Sequence, residues 1–144
     1  LLTYYNLTGA AMKRIIAGVL FVIFIISIVA FAAYGKQIRD FNSAHVAVTT
    51  ISERLLSNGI FAQVLLSSCI YEDSDGTKYA YIVEENSDFG ERAYYAKRVE
   101  LDIGNVDGDY IELISINEET AMYISSSDRD FTEGDRVVIE RIVY

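Results

Sequence analysis

The side chains best placed to do chemistry in this 144-residue chain are carboxylates. They gather in three short stretches: Glu72-Asp73-Ser74-Asp75-Gly76, residues 102–112 and residues 128–135. Hard cations such as calcium take several oxygen ligands from one turn of chain, and Asn105, Asp107, Asp109 and Glu112 around Gly108 partly imitate such a loop. The spacing departs from an EF-hand. Glycine falls at the fourth place rather than the sixth, and Glu112 comes too early to close the site as a bidentate ligand. Asp-Gly turns between strands explain the same residues, so a structural turn is expected and calcium is the weaker candidate.

Nucleophiles and soft ligands are scarce. His45 and Cys69 are the sole histidine and cysteine, which excludes an internal disulfide and a zinc cluster of these residues. With no second histidine or nearby cysteine, His45 reads as a surface or packing residue. Cys69 follows an apolar run that is expected to bury it. There is no serine elbow and no phosphate-binding glycine loop, and in so acidic a chain carboxylates close in sequence do not define a catalytic pair. The expectation is a protein that is not an enzyme, needs no cofactor and has no identified small-molecule substrate.

The elements that must position these residues begin with a membrane segment. Ile15 to Tyr34 is a run of 20 residues without a charge. As a helix rising about 1.5 Å per residue it spans a hydrocarbon layer of roughly 30 Å. Ile15, Leu20, Phe24, Val29 and Phe31 would face lipid, Tyr34 would sit at the interface, and Ser27 can bond to a carbonyl one turn back. Lys13 and Arg14 abut its start, so the positive-inside rule places residues 1–14 in the cytoplasm, as a short tail or an upstream read, and carries the rest across. The competing reading is a cleaved signal peptide with Ala30-Phe31-Ala32 as the small-residue site, giving a secreted protein. Residues beyond 36 carry 9 basic against 21 acidic side chains, net −12, which argues against nucleic acid as a partner. The lipid bilayer is the expected partner, with copies of the chain or other membrane-complex subunits beside it.

Past the membrane, Ile38, Phe41, Ala44, Val48, Ile51 and Leu55 recur at three- and four-residue spacing with polar residues between. This predicts an amphipathic helix over 35–58 that continues the membrane helix and stops at Asn58-Gly59, with Ile38, Phe41, Val48, Ile51 and Leu55 as a packing interface. From residue 60 the period changes to alternation. Strands are expected at Phe61 to Tyr71, Lys78 to Glu84, Ala93 to Ile103, Tyr110 to Ile116, Ala121 to Ser125 and Arg136 to Tyr144. The first of these could equally be a helical turn. Short polar connections favour an antiparallel meander, and the many tyrosines suit half-exposed sheet faces. The fold class is α+β: a long N-terminal helix followed by a small antiparallel β-sheet domain, residues 60–144, outside the cytoplasm.

In layout the chain resembles the type IV pilin-like proteins of archaea and bacteria. Lys13 to Ser57 matches their long first helix and Phe61 to Tyr144 their globular head. The resemblance implies a structural or accessory subunit that acts by protein–protein packing. The chain departs from the bacterial pattern in having no glycine directly after Lys13-Arg14 and no acidic residue early in the apolar helix. Gly18 before Val19 is the glycine nearest a processing position. The alternative is a single-pass protein whose outer domain is a binding or sensory module.

Overall fold

The computed structural model describes residues 2–88, 90–116 and 120–144. The chain divides into two units, a helix up to Phe41 and a β domain over Asn42–Tyr144.

Helix α1 (Leu2–Asn42) contains one stretch, Ala11–Asn42, that is long and apolar enough to cross a membrane, and none of its apolar window is buried inside the chain. A signal sequence near an N-terminus meets the same criterion. Ile15, Leu20, Phe24, Val29, Phe31 and Tyr34 are all exposed. Ser27 Oγ donates to the Ile23 carbonyl at 2.9 Å, the bond back along the helix that its hydroxyl needs in an apolar setting.

The expected amphipathic half is not a helix beyond Asn42. The chain enters β1 (Ala44–Thr49) at once, then β2 (Ser52–Leu55), and Asn58-Gly59 belongs to the hairpin turn after β2 rather than to a helix stop. The helical spacing from Ile38 to Leu55 is a coincidence of two patterns. Ile38 and Phe41 lie on α1, whereas Val48 is fully buried in β1, Ile51 is half-buried between strands and Leu55 is exposed on β2. Physically, 44–49 is a strand buried on both faces. Its near-continuous small and β-branched residues, Ala44, Val46, Ala47, Val48 and Thr49, are all buried, so alternation is absent.

The remaining strands are β3 (Phe61–Leu66), β4 (Ile70–Glu72), β5 (Lys78–Asp88), β6 (Glu91–Glu100), β7 (Asp102–Asp107), β8 (Tyr110–Ser115), β9 (Tyr123–Ser127) and β10 (Arg136–Ile142), close to the expected places except for β7, which takes up Asn105 to Asp107 where a turn is expected. A single 3₁₀ turn, Ser67–Cys69, separates β3 from β4, so the first expected strand is two strands and a turn.

They form two sheets rather than one meander. The larger has the order β4-β5-β6-β10-β1-β9, and β9 pairs back with β5 at Ile82 and Tyr123, which closes β5, β6, β10, β1 and β9 into a small barrel. All its pairings are antiparallel except β1 with β10, which run parallel. The second sheet, β2-β3-β8-β7, joins two hairpins that leave the barrel between β1 and β4 and between β6 and β9. The alternation of Val99, Leu101 and Ile103 is real, but the chain changes sheet at Leu101, and all three pack on the core between the sheets. The barrel core is Ala44, Val46, Val48, Val83, Ala96, Ile124 and Val137, at least one residue from each of the five strands. The other cluster, Leu65, Cys69, Ala80, Ile82, Leu113 and Tyr123, ties the second sheet to the barrel wall.

Candidate functional site

The parallel pairing dictates where a site can form. β9 and β10 flank β1 on opposite sides, so the connection 128–135 must cross the barrel end at which β1 begins. It is pinned at both ends. Asp128 N–H donates to the His45 carbonyl at 3.0 Å, and the His45 N–H donates to Asp128 Oδ1 at 2.8 Å. At the far end Gly134 N–H donates to the Ala96 carbonyl at 2.8 Å, and Ala96 N–H to the Asp135 carbonyl at 2.9 Å. Between these anchors Thr132 to Asp135 forms a turn, with Thr132 N–H on Asp135 Oδ2 at 2.7 Å and Gly134 at φ 87°, a backbone region that only glycine enters without strain.

The strap carries Phe131 onto the barrel core. Its ring centroid lies 4.9 Å from that of Tyr81, edge to face. Tyr81 in turn meets Tyr71 and Tyr79 at 5.6 and 5.7 Å, and Tyr71 stacks on Tyr79 directly across the β4–β5 ladder. Such offset and edge contacts satisfy the ring quadrupoles and contribute about 0.5–1.5 kcal/mol per pair beyond burial. Arg98 lies over the Tyr79 ring at 3.9 Å and donates to Asp73 Oδ2 at 2.8 Å; that bond holds its charge more firmly than usual. Burial pushes the Tyr81 and Tyr71 phenols up from their ordinary range, with neighbouring tyrosines adding to the shift.

Next to these rings is an open cavity of about 340 Å³, lined by Tyr71, Tyr81 and Phe131 and by Ser127, Asp128, Arg129 and Asp130. The Asp128 carboxylate is held below the usual range, first by the His45 N–H and then by Arg129, whose guanidinium is 3.3 Å from Asp128 Oδ2. Arg129 also donates to the Asn42 carbonyl at 3.3 Å. The arrangement offers flat aromatic surface, phenol hydroxyls and a rim of carboxylates at a barrel mouth, a place where ligands commonly bind.

The sequence-derived candidates fare differently. Asn105 and Glu112 meet, with the Asn105 N–H and side-chain amide on Glu112 Oε2 at 3.0 and 2.7 Å. The pair needs Gly104, because a Cβ there would lie 2.5 Å from that same oxygen. Asp107 faces elsewhere, accepting from Ser57 Oγ at 2.6 Å and Ser57 N–H at 2.7 Å, which hold its carboxyl below the usual range. Asp109 gives its carbonyl to the Ser67 N–H. The four therefore do not converge, and among the described residues no group of three His, Cys, Asp or Glu side chains is placed to hold a metal. Cys69 is fully buried, and burial pushes its thiol up to about 12, against a smaller opposing effect of Ser68.

The aromatic mouth escapes a search for catalytic motifs because rings are read as core. The available signal was Tyr79 and Tyr81, two apart and thus on one strand face, opposite Tyr71 across the turn at Asp73 to Thr77, with Phe131 set in an acidic loop. No family model matches the chain, and neither a curated protein nor a solved structure does.

Proposed function

We propose that this is a single-pass membrane protein whose β domain, held outside the cytoplasm, works as a binding module through protein–protein contact rather than catalysis. One observation carries the reading: an apolar helix with none of its apolar window buried in the chain is joined to a domain with a complete core of its own. The side chains of that window are exposed, so lipid or another helix is the partner that their exposure calls for. Lys13 and Arg14 before the apolar run favour a cytoplasmic N-terminus. Assembly into a pilin-like filament is the second reading, supported by the exposure of Ile38 and Phe41 at the outer end of the helix.

The anchor is tested with Ile23→Lys, which puts an ammonium in the middle of the apolar run at a cost of about 2.5–3.5 kcal/mol. The variant is expected to leave the membrane fraction on carbonate extraction, while the parent chain stays. Release of both into the soluble fraction with a mature N-terminus beyond Ala30 would establish secretion instead.

A further inference from the structure

We infer that the barrel mouth receives a positively charged side chain, an arginine or lysine carried on a basic segment of a partner protein. This rests on the reading of the β domain as a binding module.

Three rings, Tyr71, Tyr81 and Phe131, line the cavity, which at about 340 Å³ has room for a long side chain and stays open to solvent. Ring faces carry negative potential and attract a cation over them, with guanidinium adding planar stacking. The same chemistry is already present next door, where Arg98 lies over Tyr79.

The charges around the rings point the same way. Asp128, Arg129 and Asp130 line the cavity, and the Glu133 carboxylate acts on Tyr81. Arg129, the cation of the lining, is engaged by Asp128 and the Asn42 carbonyl, and Arg98 by Asp73. Asp130 makes no hydrogen bond or ion pair among the described residues and is exposed. The mouth therefore keeps a negative excess with one uncommitted carboxylate beside aromatic rings. An anion would be repelled, and a purely apolar group would leave the Asp130 carboxylate without a partner. The net charge of −12 beyond residue 36 also draws in a basic segment over a distance, raising its encounter rate.

Tyr71 and Tyr81 are two of eleven tyrosines, so binding is read from the fluorescence anisotropy of dye-labelled peptides rather than from tyrosine emission. The full chain in detergent micelles is titrated with a labelled hexa-arginine peptide, with labelled hexa-glutamate and, as unlabelled competitor, tetramethylammonium as comparison probes. Saturable binding of hexa-arginine is expected, weakened at least tenfold by Asp130→Lys and also weakened by Phe131→Leu. Glu53→Lys, the same charge change on β2 in the other sheet, should leave it nearly unchanged. Unfolding curves of each variant separate lost binding from lost fold. Equal weakening by Glu53→Lys would mean diffuse attraction to an acidic surface and overturn the proposal. So would no effect of Phe131→Leu, a preference for tetramethylammonium, or no binding. The membrane behaviour of Ile23→Lys is read independently, so the mouth can fail while the anchor stands.

Discussion

At the scale of single residues, the carboxylates matter for how they are held. Asp107 is held by both donors of Ser57, Asp128 by the His45 N–H, and Asp75 by Thr77, whose N–H lies 2.9 Å from Asp75 Oδ1. In each case hydrogen bonds to the charged form lower the pKa. A carboxyl with a lowered folded-state value binds fewer protons folded than unfolded. Its contribution is therefore complete above the ordinary aspartate value of about 3.9 and is lost as pH falls through the lower folded value. Melting temperature is accordingly expected to drop as pH falls below about 4. Asp107→Asn should be less stable than the parent at pH 7 and show a shallower acid decline. An unchanged acid slope in Asp107→Asn would show that the Ser57 bonds are not what depresses this group. The groups are solvent-exposed, so added salt should weaken the attraction of Arg54 and Arg129 more than the hydrogen bonds themselves.

At the scale of elements, β1 decides the fold. It pairs with β10 on one side and β9 on the other, and its Val46 and Val48 side chains are fully buried in the barrel. Val48→Ala removes two methyl groups from a closed core, and large-to-small changes of this kind cost about 2 kcal/mol or somewhat more. The check is urea unfolding of the full chain in micelles. Were residues 44–55 a solvent-facing helix, alanine would be neutral or slightly stabilising, because it is the better helix former. The same element shows what was legible in the residues. β8 announces itself because Ile111 and Leu113 are buried and Glu112 between them is not, so apolar and polar side chains alternate, whereas β5 and β9 meet a core on both faces at Ile82 and Val83 and at Tyr123 and Ile124. β1 is buried on both faces and loses that signature, and its apolar residues then fall by chance into step with Ile38 and Phe41. The parallel pairing of β1 with β10 joins positions over ninety apart, and nothing local to either segment records it. The aromatic mouth is hidden for a related reason: Phe131 reaches Tyr81 only because the strap 128–135 must cross the end of β1.

At the scale of the whole molecule, the question is whether copies of the chain pack through their helices. A subunit that assembles this way needs a stripe of apolar side chains continuing past the apolar run, so that each turn meets a neighbour. Past Tyr34 the helix carries Gly35, Lys36, Gln37, Arg39 and Asp40, with only Ile38 and Phe41 apolar before it ends at Asn42. Those two lie three apart, on one face, and are exposed. The remaining members of the expected stripe are unavailable, since Val48 is enclosed in the barrel and Ile51 and Leu55 stand outside the helix. Two side chains make less than one turn of contact, so packing between copies would have to rest on the exposed apolar run itself. Phe41→Cys in intact membranes, in a Cys69→Ser background, is therefore expected to give no disulfide-linked homodimer above the level of Ile15→Cys under mild oxidation. A strong homodimer at Phe41 that persists at low expression would reverse the ranking, because it would show that Ile38 and Phe41 suffice as a seam and that the membrane helix supplies the rest.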